Sequence, residues 1–174
     1  GVKIERSDIM SRLRGPVGSE VKLSVKRSGV EGLLTFNLVR AEISTESVDV
    51  AYMVDKTVGY IRVKSFGATT HKEFVTALDS LKHCGMESLV LDLQGNGGGY
   101  LSAAVDIANE FLNETNLVVY TDGRVSSRYD HLARGGGRFT KGNIVVLVDE
   151  TSASAAEILA GAIQDYGVGT LVGT

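Results

Sequence analysis

The 174-residue sequence predicts an α/β fold, and three observations predict it. From Val48 onward, short apolar runs of strand character alternate with segments whose apolar residues recur at helical spacing. Two of the runs, Ser88-Leu89-Val90-Leu91-Asp92-Leu93 and Ile144-Val145-Val146-Leu147-Val148, are nearly continuous in apolar residues, as strands buried on both faces should be. Each of these two runs ends in a tight turn of small residues that opens a helix.

Taken in order, Ser7 to Leu13 spaces Ile9, Met10 and Leu13 at helical intervals, with Ser7 or Asp8 placed as N-cap. Gly15-Pro16-Val17-Gly18 stops this helix in a turn. Val21, Leu23 and Val25 alternate with Lys22, Ser24 and Lys26, a half-buried strand whose hairpin partner is Leu34 to Val39. Residues 1–40 thus read as the end of a small β-rich domain, begun in mid-fold. Strands are expected at 48–54 and 58–64. A helix follows over 70–83, with Thr69 or Thr70 as its cap and Phe74, Leu78 and Leu81 on one face. After the strand at 88–93 come a glycine run, a helix over 101–112, and strands at 117–121 and 125–129. A glycine-rich loop at 134–138 precedes the strand at 144–148. Thr151 to Ala156 then lead into a helix carrying Ile158, Leu159 and Ile163, and a last strand ends at Thr174.

Composition narrows the function. Hydrophobic residues at 43% and charged residues at 22% are ordinary for a globular domain. A net charge of -3 and a pI near 5.6 give no electrostatic footprint for nucleic acid or an acidic membrane. No apolar run approaches the length of a membrane span, and no signal peptide opens the chain. Cys84 has neither a disulfide partner nor a metal-ligand neighbour, and reads as an inert, partly buried thiol at a helix end. No metal and no cofactor are expected. Twenty-one glycines stand against one proline, and they cluster. Clustered glycine usually means backbone brought close to something.

Chemistry points to the two small-residue turns, Leu93-Gln94-Gly95-Asn96-Gly97-Gly98-Gly99 and Val148-Asp149-Glu150-Thr151-Ser152-Ala153-Ser154-Ala155. A helix N-terminus offers unpaired N–H groups and the positive end of the macrodipole, so it stabilises a phosphate or the oxyanion of acyl transfer. Plainer readings stand beside this one: a glycine-rich turn can be only a turn, and Ser152 or Ser154 only a cap. The glycine run lacks the Gly-Lys-Ser/Thr of a Walker A loop. It is nearer a dinucleotide fingerprint, with Asp122 ending a later strand, but bulky Tyr100 stands where a third glycine belongs. His71, His83 and His131 fall on expected surface helices or loops and read as solvated side chains rather than bases. The residues by themselves leave an α/β domain with two anion-friendly turns.

Four stretches, in order, resemble the S41 family of carboxy-terminal processing, or tail-specific, proteases. Leu13-Arg14-Gly15-Pro16-Val17-Gly18-Ser19-Glu20-Val21-Lys22-Leu23 resembles the end of that family's PDZ domain. Val58-Gly59-Tyr60-Ile61-Arg62-Val63 followed by Phe66 resembles the strand entering its protease core. Asp92-Leu93-Gln94-Gly95-Asn96-Gly97-Gly98-Gly99 is similar to Asp-Leu-Arg-x-Asn-x-Gly-Gly, and Ser152-Ala153-Ser154-Ala155-Ala156-Glu157-Ile158 to the nucleophile segment Ser-Ala-Ser-Ala-Ser-Glu.

The resemblance implies a crotonase/ClpP-like α/β core over 41–174, preceded by the C-terminal portion of a PDZ domain over 1–40. It implies Ser154 as nucleophile, Ser152 as a shaper of the turn, and an oxyanion hole from the N–H of Ala155 with that of Gly98 or Gly99. It implies a desolvated lysine as base, which would explain why no histidine stands out. In the family that lysine follows a Gly-Thr like Gly173-Thr174, within Phe-Gly-Lys-Gly, with a glutamine one helical turn later. Both therefore fall outside residues 1–174, and the polypeptide as such is expected to lack turnover. Gln94 in place of arginine and Ala156 in place of serine are departures, the first removing a cation beside the glycine turn. The implied partners are polypeptides bound by their C-termini, with a homo-oligomer as a further expectation. The implied compartment is the bacterial cell envelope, as a periplasmic enzyme. Alternatives are a non-catalytic peptide-binding pseudoprotease and a dinucleotide-binding oxidoreductase.

Overall fold

A computed structural model describes residues 5–41 and 46–174, which fall in two units, Gly1–Thr45 and Glu46–Thr174. Residues 1–4 of the expected N-terminal domain, and residues 42–45 beyond it, lie outside the described residues.

The first unit holds α1 (Arg6–Leu13), β1 (Glu20–Val25) and β2 (Leu34–Val39). The two strands pair antiparallel, from Glu20 opposite Val39 to Val25 opposite Leu34, as the alternation predicts. Helix α1 starts earlier than expected, with Glu5 rather than Ser7 or Asp8 at the N-cap. Asp8 instead occupies the first turn, where the macrodipole favours a carboxylate. Arg40 ties the helix end to the hairpin. Its guanidinium donates to the carbonyl oxygens of Leu13 at 2.7 Å, Arg12 at 3.2 Å and Glu20 at 3.0 Å, and to the Ser19 hydroxyl at 2.9 Å. Gly15 makes room for it, since a Cβ there would lie 2.9 Å from the guanidinium carbon. No described residue of this unit is buried, and Ile9, Leu13, Val25, Phe36, Leu38 and Val39 are exposed.

The second unit is built on one five-stranded sheet. Its strands are β3 (Val48–Met53), β4 (Val58–Val63), β5 (Ser88–Asp92), β8 (Asn143–Val148) and β9 (Thr170–Gly173), in the order β3-β4-β5-β8-β9. β3 runs antiparallel to β4, and the other neighbours are parallel. Helices α2 (Thr70–His83), α3 (Leu101–Ala108) and α4 (Ala155–Asp165) connect them, and β6 (Leu117–Thr121) with β7 (Tyr129–Leu132) forms a separate hairpin. Ile61, Val63, Leu89, Leu91, Ile144 and Val146 point into one core with Phe74, Leu78, Ile107, Leu159 and Ile163.

Three expectations are corrected here. β5 and β8 are not buried on both faces: alternate residues Val90, Val145 and Leu147 are only half-buried, because the core lies on one side of the sheet. The strand expected at 125–129 begins only at Tyr129. The register sets Thr121 opposite Tyr129, a turn closes from Ser126 back to Gly123, and Val125 is left almost wholly exposed. The helix expected to reach 112 ends at Ala108. Tighter turns continue it, with the N–H of Glu110 donating to Ile107 and that of Phe111 to Ala108, so Phe111 and Leu112 keep helical spacing and stay buried. Thr69 is the N-cap of α2, but its hydroxyl donates to the Glu73 carboxylate at 2.6 Å rather than capping the backbone.

Candidate active site

In β5 and β8 the parallel register sets Asp92 beside Leu147, so the strands end level and their turns emerge together. Ligands of open α/β sheets bind beyond such carboxyl ends.

The turn after β8 carries Ser154 at the N-cap of α4. Its backbone sits at φ 56°, ψ -114°, a strained conformation for a residue with a side chain, costing about 1–3 kcal/mol. Its N–H donates to the Glu157 carboxylate at 2.6 Å, which fixes the start of the helix. Ser154 is exposed while Ala155 and Ala156 behind it are buried. A serine held in strained backbone between a strand and a helix is the mechanical form of a nucleophile elbow. The N–H of Ala155 lies in the first turn of α4, where no intrahelical acceptor exists.

The turn after β5 meets it. Gly98, buried and at φ +96°, presses on the serine: a Cβ there would come 2.7 Å from Ser154 Cβ and 3.0 Å from the Ala155 nitrogen. Gly99, at φ +146°, could carry no Cβ either, since one would fall 2.1 Å from the Phe66 carbonyl oxygen. A short parallel bridge straps the turn to Phe66, whose N–H donates to Gly98 O at 3.0 Å and whose carbonyl accepts Tyr100 N–H at 2.7 Å. Ser154, Ala155 and Gly98 are therefore brought together, with Gly99 next along the chain. One detail qualifies the expected donors: the Gly98 N–H already donates to Asn96 Oδ1 at 2.8 Å.

Sequence reasoning named Ser152 but passed over Asn96 and Asp149, which also join the two turns. Asn96 is fully buried and its backbone carbonyl accepts the Ala153 N–H at 3.0 Å. Asp149 Oδ2 accepts the Gly95 N–H at 2.9 Å, while its Oδ1 accepts from Thr151 and Ser152. The Thr151 hydroxyl, then the Gly95 N–H, outweigh burial and hold the Asp149 carboxyl down at about 2. Ser152 donates its hydroxyl to Leu93 O at 2.8 Å and accepts the Asp149 N–H at 3.0 Å, which is how it shapes the turn. The available signal was chemical: an Asp three residues before a Ser, after a strand, is an Asx-turn pattern.

The remaining candidates are engaged elsewhere. His71 is half-buried and pairs with Glu110 at 2.8 Å, so it is not the solvated side chain expected. Burial pushes the Glu110 carboxyl up, but its bonds from Arg138 and His71 prevail and hold it below the usual range. His131 lies in β7 rather than a loop, against the Tyr129 ring, whereas His83 is exposed at the end of α2. Cys84 is exposed at the C-cap of α2, not partly buried. Gln94 is exposed, and its N–H donates to Asp92 Oδ1 at 2.8 Å. Tyr60 donates to the other Asp92 oxygen. Burial first, and then that carboxylate, push its hydroxyl up to about 12.

The model of peptidase family S41 matches residues 57–174. The carboxyl-terminal-processing protease of Synechocystis sp. is 41% identical over 167 residues, which are 94% of this chain and 38% of that protein. The carboxy-terminal processing protease CtpA of Bacillus subtilis is 34% identical over 167 residues, 96% of this chain and 35% of its own. Among solved structures, the photosystem II D1 C-terminal processing protease superposes with a TM-score of 0.64 at 28% identity, covering 90% of this chain and 44% of that one. The chain thus spans under half the length of these relatives. Since the family match runs from the residue before β4 through both turns to Thr174, the chain belongs to peptidase family S41.

Proposed function

We propose that this chain carries the nucleophile and oxyanion hole of a serine endopeptidase of the C-terminal-processing type. The observation that carries the proposal is Ser154 itself, exposed, strained at φ 56° and seated against Gly98. Its hydroxyl oxygen attacks the peptide carbonyl carbon while a base takes the proton. The N–H of Ala155 and an N–H of the glycine turn, Gly98 or Gly99, receive the oxyanion. Collapse breaks the C–N bond, the protonated amine leaves, and water later releases the acyl group from Ser154. The base in this reading is a lysine beyond Thr174, kept neutral by desolvation. The names of the relatives, carboxyl-terminal-processing proteases, support polypeptide substrates cut near their C-termini.

The same reading takes residues 1–40 as the C-terminal portion of a PDZ domain that holds the substrate carboxylate. Its support is an apolar set, Ile9, Leu13, Phe36, Leu38 and Val39, that finds no burial within the unit and calls for cover by further PDZ residues or a second copy. No helix of the described residues is long and apolar enough to cross a membrane. The cell envelope, as the compartment, rests on the resemblance and is checked by fractionation.

A second reading is a peptide-binding scaffold without turnover; like the protease reading, it expects that among the described residues no lysine or histidine bonds the Ser154 hydroxyl. Lys64 pairs with Asp49, Lys82 with Arg138 O, and His71 with Glu110. The test is hydrolysis of an unfolded reporter polypeptide by the intact protein, with fluorophosphonate labelling alongside. The protease reading expects both to vanish in Ser154→Ala. Cleavage that survives this substitution removes Ser154 from its role, and reporter binding without cleavage favours the scaffold. In this reading residues 1–174 by themselves are expected not to cleave the reporter.

A further inference from the structure

Asn96 is the one fully buried polar side chain in either turn, and its side-chain amide and its main-chain groups are all hydrogen-bonded, two within its own turn and two to other segments. Its side-chain amide donates through Nδ2 to Val63 O, at the carboxyl end of β4, at 2.7 Å. Its Oδ1 accepts the Gly98 N–H at 2.8 Å. Its main-chain carbonyl accepts the Ala153 N–H at 3.0 Å, and its own N–H closes the turn on Leu93 O at 3.1 Å. One residue therefore joins the end of β4, the glycine turn and the residue before the candidate nucleophile.

We infer that Asn96 is a positioning residue for the oxyanion hole: it orients the glycine turn against Ser154 and holds the Gly98 N–H, so that Ala155 and Gly99 supply the free donors. This rests on the protease reading for its consequence and not for its geometry. An amide suits the place because it offers a donor and an acceptor from one planar group. Val63 O needs the donor and Gly98 N–H the acceptor, which also fixes which way the amide faces. In the bridge to Phe66, it is Gly98 O and Tyr100 N–H that bond the Phe66 backbone, so the Gly99 N–H faces away from that strand. No bond among the described residues takes the Gly99 N–H. Were the Gly98 acceptor removed, the φ +96° turn would lose the contact that sets its peptide planes, and a donor displaced by about 1 Å costs on the order of a hundredfold in rate.

Three variants of the intact protein test this. Asn96→Ala is expected to lower kcat about 100-fold with KM little changed, since the oxyanion contact exists only in the transition state. Asn96→Asp keeps the acceptor for Gly98 but sets a carboxylate against Val63 O, a repulsion that protonation of the new carboxyl turns into a donor. Its rate relative to wild type at each pH is therefore expected to rise as pH falls, a recovery that loss of packing alone does not produce. Amide hydrogen exchange at Gly98 and Ala153 reads the geometry independently of activity: both should be slow in wild type, and Gly98 should exchange at least tenfold faster in Asn96→Ala. Fast exchange at Gly98 in the wild-type protein overturns the inference while leaving Ser154 untouched. A kcat unchanged in Asn96→Ala overturns it as well. Cleavage that persists in Ser154→Ala overturns the protease reading instead, and the exchange result still decides whether Asn96 holds the turn.

Discussion

The two units of this chain contain comparable elements and differ in what holds them. In Glu46–Thr174, strand alternation and helix faces converge on one core in which Ile61, Phe74, Leu91, Leu159 and Ile163 lose essentially all contact with water. In Gly1–Thr45, no described residue of the helix or the hairpin is fully buried. Their described cohesion comes from the ladder between β1 and β2 and from the bonds of Arg40. Hydrogen bonds open to water contribute little net, whereas apolar burial contributes roughly 25 cal/mol per Å². The lesson is that correct secondary structure does not by itself make a stable unit.

Truncating an aromatic side chain in each unit tests that contrast most directly. Phe74→Ala removes a side chain with no exposed surface and is expected to cost about 3–5 kcal/mol. Phe36→Ala, at 42% exposure, should cost less than about 1 kcal/mol. Urea denaturation followed by circular dichroism measures both. Equal losses would mean that Phe36 is covered in solution, and light scattering at micromolar concentration would then show association.

Glycines of like backbone give a second comparison. Gly29, in the β1–β2 connection, sits at φ +80° with nothing within 4 Å of where a Cβ would be, and Gly98 sits at φ +96° against Ser154. Gly29→Ala pays only the left-handed backbone, about 1–2 kcal/mol at most. Gly98→Ala adds overpacking, for a total of about 2–5 kcal/mol, and should abolish fluorophosphonate labelling of Ser154. Labelling that survives Gly98→Ala would detach the glycine turn from the proposed chemistry.

Much of this was legible in the sequence. The β1–β2 hairpin, helix α2 and the two strand–turn–helix segments follow from periodicity and from small residues placed after apolar runs, because these are local signals, whereas the meeting of the two turns was expected only from the family resemblance. What escaped were properties that need tertiary context. Nothing in Val90, Val145 or Leu147 says that the second face of the sheet is only half covered. The Tyr129 start of β7 depends on cross-strand register rather than on the β-propensity of Val125. His71 looked solvated because its partner Glu110 lies far along the chain, past the end of α3. Asn96 was visible as a letter in a motif, but its role depends on Val63 and Ala153, which only the fold brings to it.

Acid provides a third test, confined to the second unit. The Asp149 carboxyl is held near 2, below its ordinary 3.8, chiefly by the Thr151 hydroxyl and the Gly95 N–H. A carboxyl with a depressed folded value contributes stability that is complete above its unfolded value and is lost as pH falls toward the folded one. The contribution should thus be constant above about pH 4 and disappear between about pH 4 and pH 2. Asp149→Asn should remove that dependence, so its denaturation midpoint falls less than wild type's between those pH values. An acid limb identical in the two proteins would show that the bond to Gly95 does not persist in solution.

The smallest expected effect is the most informative about the first unit. Arg40→Ala deletes four bonds at once, yet the acceptors are mostly exposed and water replaces the guanidinium, so each bond contributes well under about 1 kcal/mol. The alanine also empties the space that Gly15 leaves for the guanidinium. The expected result is local: amides of α1 and of Gly18 to Glu20 exchange faster, while the midpoint for Glu46–Thr174 stays within about 0.5 kcal/mol of wild type, as for a change outside its core. Arg40→Lys should not rescue, because one ammonium cannot span acceptors on both the helix end and the hairpin as a planar fork does. A midpoint that drops for the whole chain in Arg40→Ala would mean that the two units unfold as one cooperative block, and the contrast between them would then be one of burial alone and not of stability.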